Sequence, residues 1–529
     1  MKTIEISVES SQVKIIAPQI MRHRKTLISL GLLVVVGLQL ACVRSMEAIE
    51  GGYFSVSGTL QSPILADSGQ QNQSRLPGTP DGPILTPTPD DPHPLPANRN
   101  DPDSYVVQAG DTLGIIGQKY GVSVEQLVQA NNLANPNVLE VGQSLVIPVA
   151  EPQGIGPDFK IIPDSELVNG PMSVGFDFAR YINEQAGFLA GYSEEINDEP
   201  VSGTAILQKV AQNYSVNPRL LLAVLEHQSG WVTQKDPGNT DRKYPIGVGN
   251  PQRKGLYREL AWAANTLNQG FYMWRVNGVA NWVLADGVTV PIAATINAGT
   301  AAVQYMYSQL YGTAEWNQAV SETGVFSSYN RLFGYPFHYA VEPLLPPNLE
   351  QPTMQLPFDA GEEWAFTGGP HGGWDTGSAW AALDFAPPGD AVGCVPSDDW
   401  IVAVADGTIL RTGESQVIQD LDGDGYEQTG WVVFYMHIEG RGRVKPGTQV
   451  KAGDPIGHPS CEGGVSSGTH VHLARKYNGE WIPADQDIPF VLDRWVSSGT
   501  GNEYDGFLRR QGKTLEAYAG RSENNGIQR

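Results

Sequence analysis

The chain has 529 residues, a formal net charge of -23 at pH 7 and three cysteines. A length of this size predicts three to four domains with sizeable hydrophobic cores. The negative charge argues against nucleic acid or an anionic lipid surface as a partner, because both would repel the protein.

The first 42 residues have the features of an export signal. Basic residues at 21–25 precede an apolar run at 27–40, which is too short and too often interrupted by polar residues and glycine to span a membrane. The run ends in L-Q-L-A-C, which resembles the lipobox of bacterial lipoproteins, although a glutamine stands where an aliphatic residue is usual. Residues 1–42 therefore predict either a lipid anchor at Cys42 or ordinary cleavage just before it.

Residues 43–103 turn to Pro, Gly, Ser, Gln and Asp. Such a composition buries too little apolar surface to offset the entropy cost of ordering, and its prolines hold the chain extended. We expect a disordered linker, either a spacer that reaches into a cell wall or a simple connection between domains.

Residues 104–150 predict a small β-α-α-β unit. A strand at 105–108 leads to Asp111 or Thr112 as a helix cap, and apolar residues then recur at helical spacing. A second helix at 123–130 and a returning strand at 144–147 complete the unit.

Across this length the sequence resembles a LysM module. The resemblance implies binding of glycans that contain N-acetylglucosamine, and therefore of peptidoglycan. The loop positions that match the family's glycan groove are Gly110, Asp111, Thr112 and Asn135 to Asn137.

Residues 160–342 predict an α-helical domain. Asn217 and Pro218 form an N-cap and first-turn pair before an apolar helical stripe. The stretch L-L-L-A-V-L-E-H-Q-S-G-W that follows resembles the lysozyme-like fold of lytic transglycosylases. In that family a glutamate just before the serine is the general acid, whereas Gln228 stands there in this chain, and Glu226 lies about 200° around the helix.

An amide cannot donate and take back a proton as a carboxyl group does. We therefore expect the helical domain to be catalytically silent and to bind or position glycan. The alternatives are a glycosidase that uses another carboxylate and a plain helical spacer.

Five of the nine histidines fall within about a hundred residues near the carboxyl end of the chain. The sequence T-H-V-H-L favours a strand, so His470 and His472 point to the same face. Two histidines and a distant carboxylate make a three-ligand zinc site whose fourth position stays open for water.

Read with two further histidines and an aspartate, this motif resembles the lysostaphin-like, LytM-type zinc endopeptidases of bacterial cell walls, most closely the staphylolysin or β-lytic branch. The resemblance implies zinc ligands at His371, Asp384 and His472. It also implies catalytic roles for His437 and His470, one as general base and the other as oxyanion stabiliser and proton donor, with the assignment between them left open.

Asp375 is the alternative ligand, because His371-Gly-Gly-Trp-Asp375 fits the commoner H-x-x-x-D spacing of the wider family. We prefer Asp384, since the apolar run at 381–386 predicts a strand that holds it rigidly. His458 is expected to be a bystander.

Residues 356–498 predict a mainly antiparallel β domain with a groove across one sheet, followed by a C-terminal extension at 499–529. Asp406 and Gly407 predict the turn of a hairpin. Cys394 and Cys461 could pair in an oxidising compartment, and Cys42 would then have no cysteine to pair with.

The acidic residues Asp420, Asp422 and Asp424 match the start of a calcium-binding loop, with a glycine in the sixth position. The twelfth position is Trp431, where a bidentate glutamate is needed. We keep two alternatives: a calcium site to which Glu427 contributes, and a solvated acidic hairpin tip.

These features predict an exported zinc endopeptidase that hydrolyses peptide cross-bridges or stems of peptidoglycan. The protein would be extracellular or held at the outer face of the cytoplasmic membrane, with contact to the membrane only through a lipid on Cys42. Two alternatives compete: a non-catalytic peptidoglycan-binding scaffold or hydrolase activator, and a lytic transglycosylase.

Overall fold

The computed structural model describes residues 89–108, 111–152, 154, 156–238, 242–389 and 392–529. The predicted signal with its Cys42, the linker up to residue 88 and Gly110 lie outside these described residues. No helix within the described ranges is both long enough and apolar enough to cross a bilayer.

The LysM-like unit has the predicted β-α-α-β order. Its elements are β1 (Asp103–Val106), α1 (Leu113–Tyr120), α2 (Val124–Asn131) and β2 (Ser144–Ile147). β1 and β2 pair antiparallel. Of the two candidate caps, Thr112 caps α1, since its hydroxyl accepts the N–H of Ile115 at 3.2 Å. Ser123 and Gln126 form a capping box at the start of α2.

Residues 160–342 are mainly helical. The helices are α3 (Phe178–Gln185), α4 (Gly203–Tyr214), α5 (Pro218–Ser229), α6 (Leu256–Arg275), α7 (Ala298–Ser308), α8 (Thr313–Ala319) and α9 (Val325–Phe333). Two hairpins join them, β3 (Ser193–Ile196) with β4 (Glu199–Ser202) and β5 (Asn281–Val283) with β6 (Thr289–Pro291). Asn217 caps α5 as predicted, and α5 is buried from Pro218 to Glu226, so it forms the centre of this domain.

Residues 356–529 form a mainly antiparallel β domain. Its strands are β7 (Glu363–His371), β8 (Ala382–Ala386), β9 (Ile401–Val402), β10 (Gly407–Gly413), β11 (Gln416–Asp420), β12 (Trp431–Met436), β13 (Gln449–Val450), β14 (Pro455–Gly457), β15 (Val471–Tyr477), β16 (Glu480–Trp481), β17 (Val491–Leu492), β18 (Trp495–Gly499), β19 (Gly506–Arg510), β20 (Lys513–Glu516) and β21 (Gly526–Gln528). The main sheet runs β13–β10–β11–β12–β15–β8–β7–β21, and a smaller sheet runs β17–β18–β19–β20.

The two faces of the main sheet pack against different partners. In β15, Val471 and Leu473 point into the core of the β domain itself. His472 and Ala474 point to the opposite face, where Ala474 and Phe434 of β12 join the hydrophobic core of the helical domain. The helical domain therefore covers part of the face from which His472 projects.

Polar contacts fasten the helical domain to this face. Arg275, at the end of α6, donates to both carboxylate oxygens of the buried Glu480 at 2.6 and 2.8 Å. The hydroxyl of Tyr272 accepts the N–H of Trp481 at 2.9 Å. Because a buried carboxylate or N–H without a partner costs about 1–3 kcal/mol or more, these contacts oppose separation of the two domains.

The predicted boundary at residue 498 falls inside the β domain. β21 pairs with β7 at the edge of the main sheet, and β19 and β20 extend the smaller sheet from β18. Leu508 and Ile527 are buried in the core of the domain. Residues 499–529 therefore complete the domain, because they supply an edge strand and apolar side chains that the rest of the fold needs.

The hairpin predicted at Asp406 and Gly407 is wrong. β9 pairs with β14, whereas β10 pairs with β11 and β13. The Asp-Gly pair marks a turn correctly, but the strands on its two sides belong to different sheets.

Residues 89–103 also differ from the expectation of a disordered linker. The ring of His93 stacks on Trp274 with 4.3 Å between centroids, and Asp90 forms an ion pair with Lys160 at 2.6 Å. The surface of the helical domain supplies the partners that order this segment, and composition alone could not reveal them.

Candidate metal centre

His371, Asp384 and His472, the predicted metal ligands, meet at one end of the main sheet. His371 is the last residue of β7, and Asp384 of β8 stands directly opposite His472 of β15. His371 Nε2 lies 2.9 Å from His472 Nδ1 and 3.2 Å from Asp384 Oδ1. His472 Nδ1 lies 3.3 Å from Asp384 Oδ1. The adjacent strands thus bring one atom from each residue to a single point.

The hydrogen bonds of the two rings fix where their protons lie. His371 Nδ1 donates to the carbonyl of Gly369 at 2.7 Å, and His472 Nε2 donates to the carbonyl of Gly373 at 3.1 Å. Because a carbonyl oxygen only accepts, each neutral ring carries its proton on the nitrogen turned away from the cluster. The nitrogens that face Asp384 therefore present bare lone pairs.

This cluster fits a zinc ion. Asp384 is buried, and its Oδ1 has no hydrogen-bond donor among the described residues. Two bare nitrogens and a carboxylate oxygen at such short separations repel one another unless a cation lies between them. Tetrahedral zinc with bonds of about 2.0–2.1 Å separates its ligand atoms by about 3.3–3.4 Å, close to the separations seen here.

The electrostatics of the cluster keep the carboxylate ionised. Burial acts to raise the pKa of Asp384, but the facing imidazoles of His371 and His470 hold that pKa well below its ordinary value. Burial acts to lower the pKa of His371, and the Asp384 carboxylate more than offsets this and raises it. Burial lowers the pKa of His472. An ionised carboxylate and a neutral His472 are the forms that bind a metal.

His437 and His470 lie beside the cluster, with 4.4 Å between their ring centroids. Their Nδ1 atoms donate to the carbonyls of Glu462 at 2.9 Å and Gly468 at 2.7 Å, so Nε2 is the nitrogen of each ring that is available for proton transfer. His470 Nε2 lies 3.7 Å from Asp384 Oδ2. Burial lowers the pKa of His437 to about 3, and the neighbouring imidazoles add to this effect. The geometry places both rings next to the candidate metal position, and the low pKa keeps His437 neutral there.

The backbone of His437 is held in an uncommon conformation. Its φ is 63°, in the left-handed region that non-glycine residues seldom adopt. Its carbonyl accepts the N–H of Ser460 at 2.8 Å and the hydroxyl of Ser460 at 2.9 Å. Such strain is maintained where the surrounding structure requires one exact side-chain direction, as at a functional site.

Two other candidate residues lie outside the cluster. Asp375, the alternative ligand, is exposed and accepts the hydroxyl of Tyr214 at 3.0 Å. His458 is buried, donates from Nδ1 to the carbonyl of Asp399 at 2.9 Å and packs on Trp400. The structure therefore brings Asp384, and neither of these residues, to His371 and His472.

The acidic loop gains no support as a calcium site. Asp420, Asp422 and Asp424 do lie close together, but the carboxylate of Asp420 already accepts the backbone N–H groups of Asp422, Gly423 and Gly425. Glu427, expected as a further ligand, is buried and pairs with Arg411 and Lys476. The backbone N–H groups of the hairpin tip thus stabilise the carboxylate of Asp420. The alternative in which Glu427 contributes to a calcium site is wrong.

Cys394 and Cys461, whose pairing the sequence left open, form a disulfide. They are 67 residues apart, and the bond ties the loop before β9 to the loop that leads to His470. Disulfides persist in oxidising compartments, which agrees with an exported protein.

We expect the double variant Cys394→Ala, Cys461→Ala to lower the free energy of unfolding by about 2–4 kcal/mol, since closing a loop of this size restricts the unfolded chain. Calorimetry would measure this as a lower Tm for the β domain. Wild type kept in a reductant should show the same fall. A variant with an unchanged Tm would contradict the expectation.

One contact of the metal centre has no signal in the sequence. Tyr504, in the loop between β18 and β19, stacks on His371 with 4.2 Å between ring centroids. Its carbonyl accepts the N–H of Gly369 at 2.8 Å, and the preceding Glu503 accepts the N–H of Gly372 at 3.3 Å. No motif marks this glycine-rich stretch, and Tyr504 lies 133 residues from His371.

A buried His/Asp/His set at the end of an antiparallel sheet, flanked by two further histidines, is the arrangement of a metal-dependent hydrolase. The comparisons with known proteins define the class further. Residues 105–148 match the model of the LysM domain, residues 160–347 that of the LasA N-terminal domain, and residues 391–483 that of peptidase family M23. The chain therefore carries a LytM-type, LasA-like M23 peptidase domain behind an N-terminal LysM domain.

The chain is also similar to individual proteins. Protease LasA of Pseudomonas aeruginosa strain UCBPP-PA14 is 26% identical over 372 residues, which cover 66% of this chain and 80% of that protein. The N-acetylmuramoyl-L-alanine amidase XlyA of Bacillus subtilis strain 168 is 48% identical over 44 residues, 8% of this chain and 15% of that protein. The M23 metalloprotease Pseudoalterin from the deep sea has a TM-score of 0.28 at 25% identity, over 34% of this chain and 99% of that chain.

The match to the M23 family model covers only part of the site. The region matched by the M23 model includes His437, His470 and His472, whereas His371 and Asp384 precede it. The role of these two residues rests on the geometry described above. The LysM prediction and the LytM-type resemblance are confirmed, and the lysozyme-like fold of the helical region stays a prediction.

Proposed function

We propose that this protein is an exported zinc-dependent endopeptidase that hydrolyses peptide bonds in the cross-bridges or stems of peptidoglycan. The observation that carries the proposal is the convergence of His371, Asp384 and His472. Their facing atoms are two bare nitrogens and a carboxylate oxygen without a donor. Such a set attracts a cation, and the soft-to-borderline nitrogen ligands favour zinc over calcium or magnesium.

Zinc at these three ligands would lower the pKa of a bound water to about 7 and polarise the scissile carbonyl. His437 and His470 supply the proton transfers that amide hydrolysis needs. Each ring is oriented by its Nδ1–H donated to a backbone carbonyl, and each has Nε2 free to take a proton and to return it. One takes the proton of the attacking water on Nε2. The other enters the reaction with a proton on Nε2, which it donates to the oxyanion as a hydrogen bond and then passes to the leaving amine.

The LysM domain supports peptidoglycan as the substrate. A similar protein over 44 residues is the N-acetylmuramoyl-L-alanine amidase XlyA, whose name refers to a bond of peptidoglycan. The disulfide and the signal-like residues 1–42 support export, with a lipid on Cys42 as part of the same proposal. Peptidoglycan of the cell wall is then the polymer that the exported protein encounters.

Two alternatives receive less support. A non-catalytic scaffold would be expected to lack part of the ligand set, and all three candidate ligands are in place. A lytic transglycosylase needs a proton donor at position 228, but the amide of Gln228 donates to the Ile246 carbonyl at 2.5 Å and accepts from the Tyr311 hydroxyl at 2.7 Å. Both ends of this amide are used within the domain.

Digestion of purified sacculi separates the three functions. Wild type should release fragments with new amino termini and no new sugar ends, and His472→Ala should release neither. Gln228→Ala should act within about twofold of wild type, because position 228 takes no part in the chemistry. New sugar ends that disappear in Gln228→Ala would favour the transglycosylase, and sacculi left intact by wild type would favour the scaffold.

A further inference from the structure

The LysM domain is docked firmly on the helical domain. Gln118 of α1 is buried, and its amide donates to the Val283 carbonyl at 2.8 Å and accepts the Val283 N–H at 3.3 Å. Thr289 donates to the carbonyl of Gly121 at 3.3 Å. Because buried polar groups that lose their partners cost about 1–3 kcal/mol each, these contacts fix the LysM domain in place. The helical domain is in turn fastened to the main sheet through Arg275 and Glu480.

The docked LysM domain reaches the peptidase domain at one loop. Gln108 donates from Nε2 to Asn502 Oδ1 at 3.2 Å, across 394 residues of sequence. Gln108 also forms a turn with Asp111, whose carboxylate accepts the Gln108 N–H at 2.7 Å. Asp111 is one of the predicted glycan-contacting positions. The turn that carries this predicted glycan-contacting position therefore lies next to the loop at residues 500–504, here called the bridge loop.

The other end of the bridge loop rests on the metal centre. Tyr504 stacks on His371, and Glu503 accepts the N–H of Gly372. Two residues of chain span at most about 7 Å, so the Asn502 contact with the LysM domain lies within about that distance of Tyr504. The bridge loop thus separates the glycan-binding domain from a zinc ligand by only a few residues.

We propose that the LysM domain and the metal centre form one continuous substrate-binding surface across the bridge loop. The enzyme then cuts a peptide stem attached to the same glycan strand that its LysM domain holds. The inference rests on the proposed function and names its substrate more closely. An extended stem of four or five residues spans about 13–18 Å, which suits a site only a short loop away from the bound sugar.

This arrangement has a kinetic consequence. A substrate already held by its glycan meets the metal centre as an intramolecular partner, at an effective concentration in the millimolar range for a short tether. A stem that carries its glycan should therefore have a KM at least about tenfold lower than the same peptide without sugar. The value of kcat should be similar for both, since the glycan does not touch the scissile bond.

Two double variants test the contact with matched changes at the same exposed positions. Gln108→Glu with Asn502→Asp places like charges across the contact, whereas Gln108→Lys with Asn502→Asp places opposite charges there. We expect the like-charge pair to raise the KM of the glycan-linked substrate by up to about fivefold. The opposite-charge pair should stay close to wild type, and the KM of the sugar-free peptide should be the same in all three proteins.

A ratio of the two KM values that stays the same in wild type and both double variants would overturn this inference while leaving the proposed function intact. A wild type that cleaves neither substrate would overturn the proposed function, and the inference with it. The unchanged cleavage of the sugar-free peptide shows in each variant that the metal centre is folded.

Discussion

Asp384→Asn should lose bound zinc and peptidoglycan hydrolysis together, whereas Asp375→Asn should keep both. Asp384 Oδ1 accepts no hydrogen bond from the described residues and faces one ring nitrogen each of His371 and His472. An amide at this position cannot supply the negative charge that a divalent cation needs. Mutation of residues that only hydrogen-bond to metal ligands lowers metal affinity by about 10–100-fold. Loss of a ligand itself should therefore lower zinc affinity by more than about 100-fold.

Elemental analysis and equilibrium competition with a chelator would measure the zinc affinity of each variant, and sacculus digestion would measure hydrolysis. Asp375→Asn is the matched control, since it makes the same chemical change nine residues earlier, where the side chain accepts the Tyr214 hydroxyl and the Thr376 N–H and lies outside the cluster. If instead the Asp375 variant lost zinc and the Asp384 variant kept it, the ligand set proposed here would be wrong.

His470→Ala and His437→Ala should keep zinc but lower kcat by about 100- to 10,000-fold each. Neither ring belongs to the group of facing ligand atoms, so metal content should match wild type. Each ring presents an Nε2 beside that group, and losing it removes a proton acceptor or donor from the reaction. The two losses should combine less than additively, because both residues serve one chemical step.

The measurement is kcat on a peptide substrate at saturating zinc, with metal content determined on the same samples. His458→Ala provides the comparison, since it removes a buried histidine of the same domain that lies outside the site. We expect its kcat within about twofold of wild type. A His470 or His437 variant as active as the His458 variant would show that the corresponding ring has no part in proton transfer.

Much of the site could be predicted because its chemistry follows local patterns. The alternation of a strand places His470 and His472 on one face, and both rings do reach the Asp384 carboxylate. The apolar run at 381–386 predicted the strand that carries Asp384, and β8 is that strand. The preference for Asp384 over Asp375 agrees with the geometry for the same reason, since strands position side chains and glycine-rich loops do not.

Other expectations failed where a partner distant in sequence decided the outcome. Glu427 looked like a calcium ligand beside three aspartates, but Arg411 and Lys476 on neighbouring strands hold it elsewhere. Residues 89–103 looked unstructured by composition, but the ring of Trp274 and the charge of Lys160 order them. In each case the competing interaction is a buried or charged contact that the local sequence does not show.

The sequence by itself determined the order of the domains, the β-α-α-β pattern of the LysM domain and the histidines and aspartate available to a metal. These properties depend on residue type and on neighbours a few positions away, through helix caps, strand alternation and ligand chemistry. Only the tertiary structure placed Tyr504 on His371, laid the helical domain on the face of the sheet that carries His472, and brought Gln108 to Asn502. These contacts join residues more than a hundred positions apart, because the burial of shared apolar surface and the pairing of buried polar groups are settled by the whole fold at once.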